Sequence, residues 1–223
     1  MLFDIIFIRH GETEFNREWR MQGRQDSPLT AEGRAQVLAL GRTMAAHLNA
    51  IDSWFISPLG RVRETSQILR DCFERESGAI ALPQEEVHDR LVEIHCGDFE
   101  GRTQQEIDAD MLTRIRKSPA MRYPGGENML EVVDRAREFL DHWKTLIPTP
   151  FAGEHRTVVI SHGNFIRAMM AAICDLPPEA GIRALLHNAA VCRFIARDQD
   201  YFFRMVNWND RSHTHGGNPF GPV

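Results

Sequence analysis

The chain has no apolar run long enough to cross a membrane, and its amino terminus lacks the basic segment and apolar stretch of a secretory leader. These absences argue against a membrane partner and make a cytoplasmic location the expectation. Paired cysteines are missing too. Cys72, Cys96, Cys174 and Cys192 are widely scattered with no C-x-x-C pair, so reduced thiols are expected rather than a disulfide framework. Positive charge is not in surplus: 26 Lys and Arg stand against 31 Asp and Glu, a formal net charge of −5. That argues against a broad nucleic-acid-binding surface, and any basic site must be local. Metal-ligand spacing is absent apart from His213 and His215, which lie in a Gly- and Pro-rich tail and make a poor site by themselves. Neither a metal nor a cofactor is expected. No internal repeat or low-complexity linker divides the chain. The 223 residues are 43% hydrophobic and 26% charged, which suits one globular domain spanning 1–223.

Apolar runs alternate with helix-like segments. Strands are expected at 3–9, 53–57, 79–82, 157–161, 191–196 and 202–207. The last two are neighbours, joined through Asp198-Gln199-Asp200. Helices are expected over 30–48, from Ser57-Pro58 to about 74, over 128–147 ended by Pro148, and over 165–174. Ser57 is a good N-cap type and Pro58 suits a first helical position. The alternation predicts an α/β three-layer sandwich with a mostly parallel central sheet flanked by helices. The polar, helix-prone stretch 102–124 reads as a cover over the site, and the tail 212–223 as loosely ordered.

The strand at 3–9 stops abruptly at Arg9-His10-Gly11, and the strand ending at Ser161 stops at His162-Gly163. Ligands bind beyond the carboxyl ends of strands in open α/β sheets, so two strands of this kind can set two imidazoles side by side. Cleaving a phosphomonoester without a metal needs a nucleophile, fixed positive charge and an acid for the leaving oxygen. A neutral imidazole is a good nucleophile near pH 7, and His10 is the candidate. Arg9 and Arg61 are candidate clamps, because guanidinium offers a planar fork to phosphate oxygens. His162 adds donors. Glu93 is the candidate acid, with Glu12 and Glu100 as rivals. His95 either lines the site or packs, and nothing marks Cys96 as reactive.

Taken in order, these residues resemble the histidine phosphatase superfamily, which includes cofactor-dependent phosphoglycerate mutases and many phosphomonoesterases. Arg9-His10-Gly11-Glu12-Thr13 with Asn16 is similar to its opening motif, continued by Gln22-Gly23, Asp26, Leu29, Thr30 and Gly33. Ser57-Pro58-Leu59-Gly60-Arg61 resembles the block that carries the second phosphate-binding arginine. Glu93 through Gly101, Pro124-Gly125-Gly126-Glu127, and His162-Gly163-Asn164 with Arg167 resemble the rest. The resemblance implies a phosphoglycerate mutase-like fold. It implies catalytic roles for His10, Glu93 and His162, and phosphate binding by Arg9, Arg61, His162 and Asn16. It makes Gln22, Gly23, Gly163 and Asn164 candidates for the substrate pocket.

The implied reaction is transfer of a phosphoryl group to His10 and then to water. A small phosphorylated metabolite is the expected partner, and a homodimer is compatible with the sequence. The competing enzyme is a phosphoglycerate mutase. Members of that kind usually carry a longer insertion after the Glu93 block, whereas here 101–124 is short and Gln22-Gly23-Arg24 replaces their Ser/Thr-Gly-Trp segment. Asn164 points the other way. A catalytically dead scaffold is disfavoured because it has no chemical need for this set. Arg20, Arg24, Arg102, Arg122 and Tyr123 are open between contacting a leaving group and lying on the solvated surface.

Overall fold

The computed structural model describes residues 1–76, 80–147, 152–197 and 200–221. Its strands are β1 Leu2–Arg9, β2 Ser53–Ile56, β3 Glu85–Val87, β4 Glu154–Ser161, β5 Val191–Ala196 and β6 Arg204–Asp210. Its helices are α1 Glu14–Arg17, α2 Ala31–His47, α3 Gly60–Glu76, α4 Ala109–Lys117, α5 Met129–Leu146, α6 Gly163–Ile173 and α7 Pro178–Arg183. The strands form one sheet in the order β3-β2-β4-β1-β5-β6, with β5 antiparallel to both neighbours and the others sharing one direction. The fold is the expected α/β sandwich. Among the described residues no helix is long and apolar enough to cross a membrane.

The unbroken apolar run of β1 marks a strand covered on both faces. Phe3, Ile5 and Phe7 face a core shared with α5 and α6, while Ile6 and Ile8 face a second core shared with α2 and α3. Neighbouring strands obey the same alternation: Phe55 and Val159 enter the first core, and Trp54, Ile56, Val158 and Ile160 the second. Asp4 breaks the apolar pattern. It is 0% exposed, and its carboxylate accepts from Arg193 Nε at 2.7 Å and Nη2 at 2.9 Å, and from Arg156 Nε at 2.9 Å. The two arginines come from β5 and β4, the strands on either side of β1. One buried carboxylate thus ties three strands together.

Three expectations are corrected. The strand expected at 79–82 is not formed by 80–82, and Ala79 lies outside the described residues. Ile80 and Leu82 pack against the α2–α3 core instead, and the ladder is made by the charged Glu85–Val87 at the sheet edge. An edge strand is paired on one side only, so an apolar pattern does not announce it. The final strand begins at Arg204 rather than at Phe202, which is largely exposed. The turn expected at Asp198-Gln199-Asp200 and the stop at Pro148 involve residues outside the described set. The tail is not loose through residue 221: Ser212–His215 makes a 3-10 turn, Phe220 is buried in the α2–α3 core, and Arg193 Nη1 donates to Gly221 O at 2.8 Å. A buried aromatic holds the tail down where its glycines alone would leave it free.

Removing Asp4 leaves the buried Arg193 guanidinium without its carboxylate and Arg156 with Glu154 alone. Breaking a buried pair this way costs about 3–5 kcal/mol, so Asp4→Ala is expected to lower the unfolding free energy by that much, read from a lower urea midpoint at an unchanged m-value. A loss below about 1 kcal/mol would show that the triad does not hold the sheet centre.

Candidate active site

Three adjacent parallel strands, β2, β4 and β1, end level with one another. Ile56 pairs with Ile160 and Arg9 with Ser161, and the pairing runs on past the strands: Ser57 N–H donates to Ile160 O and His10 N–H to Ser161 O, each at 3.1 Å. Ser57, His162 and His10 therefore leave the sheet side by side. The two imidazole rings lie 5.4 Å apart, centroid to centroid, at 61°. His10 is 2% exposed and His162 0%.

Each ring is held by a specific partner. His10 Nδ1 lies 2.8 Å from Gly11 O, which can only accept, while His10 Nε2 receives Arg61 Nε at 3.3 Å. The proton thus sits on Nδ1, and Nε2 keeps its lone pair. Burial, followed by Arg61 and Arg9, pushes the His10 pKa well below 6.5. His162 Nε2 lies 2.7 Å from Ser57 Oγ. Burial, then Arg61, His10 and Arg9, push its pKa well down as well. Leu59 N–H donates to Ser57 Oγ at 3.5 Å, and when the hydroxyl donates to His162 Nε2 the ring proton sits on Nδ1. His162 Nδ1 and Arg9 Nε are buried with no hydrogen-bond partner. Donors gathered without acceptors are what an oxyanion would satisfy.

Arg61 is fixed by the loop that precedes α2. Its guanidinium donates to Gln25 O at 2.8 Å, Gly23 O at 2.8 Å and Asp26 Oδ1 at 3.2 Å. Gly23 has φ +54°, and a Cβ there would stand 2.1 Å from Glu100 Oε1, so only glycine lets this carbonyl reach Arg61. Asp26 also accepts the backbone N–H groups of Gly60 and Arg61. That corrects the expected start of this helix. Ser57 is not its N-cap: α3 begins at Gly60, capped by a carboxylate from another loop that matches the positive helix end, and Ser57 is spent on His162.

Glu93 reaches the site from the loop after a 3-10 turn at Asp89–Leu91. It is 8% exposed and accepts at Oε1 from the N–H groups of Ile94 at 2.9 Å, Asn164 at 3.2 Å and Phe165 at 3.3 Å. It thereby caps the α6 N-terminus, whose N-cap His162 makes no side-chain cap bond. The loop is braced by its neighbours. Ser161 Oγ donates to Leu91 O at 2.7 Å, and Arg135 Nη1 to Arg90 O at 2.7 Å and Val92 O at 2.6 Å. Glu127 N–H donates to His95 O, and Asp98 N–H to Pro124 O. A Cβ on Gly97 would lie 2.0 Å from Pro124 O, so the Glu93 and Pro124-Gly125-Gly126-Glu127 blocks are two halves of one braced unit.

The other residues singled out by sequence divide. Asn16 faces the same cavity as Arg9, and its Oδ1 accepts from Asn188 Nδ2 at 2.9 Å. Gly163 and Asn164 line a cavity of 210 Å³ with Arg9 and Glu93. Gln22 is turned inward: Oε1 accepts from Thr13 Oγ1 at 3.0 Å and Nε2 donates to Ser27 Oγ at 3.2 Å, so its amide braces a loop. Gly23 serves through its carbonyl. The rival acids are occupied elsewhere, Glu12 by Thr30 Oγ1 and Glu100 by the N–H groups of Arg24, Gln25 and Cys96. Arg20, Arg24 and Arg122 sit in surface ion pairs. Burial pushes the Cys96 thiol well up, which leaves it unreactive. Sequence reasoning missed Asn188, whose Nδ2 reaches His10 O and Gly11 O at 3.2 Å each, and the bracing Arg135. No local signal marks either. One group of side chains could share a cation among the described residues, Glu86, His88 and His142 at the sheet edge. Arg90 N–H already donates to His88 Nδ1 there, at 3.2 Å.

Residues 5–211 match the description of the histidine phosphatase superfamily, branch 1, and the chain belongs to that family. Among curated relatives, a "Probable phosphoglycerate mutase GpmB" of Serratia proteamaculans is 31% identical, over 86% of this chain and 84% of its own. Among solved structures, a mycobacterial glucosyl-3-phosphoglycerate phosphatase complexed with VO3 superposes with a TM-score of 0.79 at 26% identity, covering 92% of this chain and 98% of that one. Bacillus stearothermophilus YhfR matches with a TM-score of 0.79 at 30% identity, over 95% of this chain and 98% of its own.

The two depressed histidines make stability depend on pH. Both stay neutral in the folded protein, while the unfolded chain takes up their protons near pH 6.5. Their contribution is complete above that pH and is lost as pH falls below it, by about 1.4 kcal/mol per pH unit for each histidine. Urea midpoints followed from pH 7 to 5 should fall less steeply in His10→Asn or His162→Asn than in the wild type, by about one proton. Equal slopes would mean that these rings are not buried neutral.

Proposed function

We propose that the protein is a phosphomonoesterase that works through a phosphohistidine on His10, without metal or cofactor, on a small phosphorylated metabolite. The observation that carries this reading is the His10 ring itself: deprotonated at Nε2, desolvated, and flanked by Arg61 within a group of unpartnered donors. His10 Nε2 attacks phosphorus in line as the bond from phosphorus to the ester oxygen breaks. Glu93, protonated, gives its proton to that oxygen and releases the alcohol. Water then attacks the phosphohistidine, its proton passes to Glu93, and inorganic phosphate leaves. The sum is ester plus water to alcohol plus phosphate. Arg9, Arg61 and His162 hold the equatorial oxygens throughout, acting where charge must be balanced.

Transfer to water rather than to a second hydroxyl is supported by the cover, which among the described residues is a short helix, α4, and two turns. Cavities lined by Arg9 reach outward past the exposed Leu185 and His187. A mutase must shut water away from its phosphorylated intermediate. The mutase remains the second reading, favoured by Asn164 and by the name of the Serratia relative.

His10→Ala is expected to cut turnover by several orders of magnitude with folding intact, and wild-type enzyme quenched after labelled substrate should carry an acid-labile phosphoryl group. Substantial activity in the variant together with no phosphohistidine in the wild type would overturn the nucleophile. Phosphate release from small phosphomonoesters should persist in chelator. Interconversion of 3- and 2-phosphoglycerate should stay slow even when primed with 2,3-bisphosphoglycerate. Fast primed interconversion with negligible phosphate release would select the mutase.

A further inference from the structure

The sheet edge formed by β3 carries side chains that the chemistry at His10 does not use. Glu86 pairs with Phe55 of β2, and His88 N–H continues the ladder by donating to Ile56 O at 2.9 Å. Successive strand residues face opposite ways. Glu85 turns to Ser66 of α3, whose hydroxyl donates to its carboxylate, so Glu86 and His88 share the other face, that of α5. There they meet His142, near the end of that helix. The His88 and His142 rings stand 5.0 Å apart, centroid to centroid. The buried Phe139, one turn before His142, sets its ring across that of His88 at 5.2 Å and 85°. A strand and a helix distant in sequence thus bring two imidazoles and a carboxylate together, with ligand atoms all within 4.8 Å of one another.

The spacing carries information. Glu86 Oε1 and His142 Nε2 lie 3.7 Å apart, too far for a hydrogen bond. Two ligands on one tetrahedral ion, with bonds of about 2.0–2.2 Å, stand about 3.4 Å apart. Glu86 is exposed and both rings are half-buried, so side-chain rotation can close the gap. Imidazoles with a carboxylate suit zinc and its transition-metal neighbours rather than magnesium or calcium. His88 must also offer a bare ring nitrogen. Arg90 N–H donates to its Nδ1 at 3.2 Å, which puts the ring proton on Nε2. An ion takes Nδ1 in place of that N–H, or takes Nε2 as the proton moves to Nδ1. Both routes release Arg90 N–H, and Arg90 is exposed, so water receives it. Arg135 still holds Arg90 O and Val92 O, which keeps the segment leading to Glu93 in place. We propose that Glu86, His88 and His142 bind one zinc-class divalent ion, with water completing its shell, and that the ion fastens the edge strand β3 to α5. The ion takes no part in phosphoryl transfer, so this stands or falls apart from the phosphomonoesterase reading.

The test titrates the full chain, freed of metal by chelator, with zinc by calorimetry and with cobalt(II) as an optical probe, at about pH 7.5, where imidazole is neutral. One ion per chain is expected. Its affinity should fall by more than about tenfold in His142→Ala and in Glu86→Gln, since even partners outside a ligand set are worth that much. On binding, the His88 and His142 ring nitrogens and the Arg90 amide should shift in nitrogen NMR spectra. Zinc at about 100 times its dissociation constant should lower the unfolding equilibrium constant about a hundredfold, and the same zinc concentration should do much less in His142→Ala. Binding that both variants leave intact and that vanadate displaces would place the ion on His10 and His162 and overturn the proposal. Absence of binding, or binding with no shift at His88 and Arg90, would overturn it as well.

Discussion

The registered parallel pairing of β4 with β1 and β2 is the constraint on which the site depends. Ile56, Ile160 and Ile8 stand in one row, and the row after it is Ser57, Ser161 and Arg9. A slip of one residue would turn every side chain to the opposite face, breaking both cores and parting the two histidines at once. The register is protected by the cores, which require alternating residues of each strand on each face, and by Asp4, gripped from both neighbouring strands. Stability at the sheet centre and alignment at its edge are therefore one property.

Electrostatics follow from that alignment. The site gathers Arg9, Arg61 and two imidazoles at one sheet edge, with both rings and Arg61 buried. Burial lowers the arginine pKa values, that of Arg9 to about 10. The cost of collecting like charges is offset in part by Glu93 and Asp26, which oppose the shift at Arg61. What remains is two neutral histidines beside two cations, with Arg9 Nε and His162 Nδ1 lacking partners, a setting that suits an oxyanion. Glu93 sits on the α6 N-terminus, where helix N–H groups fix its carboxyl group beside the cavity that Arg9 and Asn164 line.

Loops around the sheet edge give this charge its shape. The 22–26 loop carries no side chain into the site, yet two of its carbonyls and Asp26 lock the Arg61 fork. The 95–98 and 124–127 segments hold each other through backbone bonds and give Glu93 a rigid base. α4 lies farther out and lines the neighbouring cavity with Ile115 and Arg116. His10, Arg61 and Glu93 are thus set by the sheet and braced loops, while the cover stands apart from them. One scaffold can then keep its chemistry while its substrates differ.

By itself the sequence determined the alternation of strands and helices, the two-faced burial of β1, the delivery of Arg9, His10 and His162 to strand ends, and the blocks that hold Arg61 and Glu93. Those are local matters, because apolar period, capping type and chain breaks are written within a few residues. Tertiary structure alone decided the pairings between distant segments. Ser57 looks like a helix cap and instead orients His162, while Asp26, which looks like a loop acid, caps α3. Gln22 turns into its loop, and Asn188, in no motif, clamps the backbone that carries His10. β3 is charged and short, and only its pairing with β2 makes it a strand. Each such choice depends on which surfaces the strand register and loop closures bring within reach, and no window of sequence contains that distance.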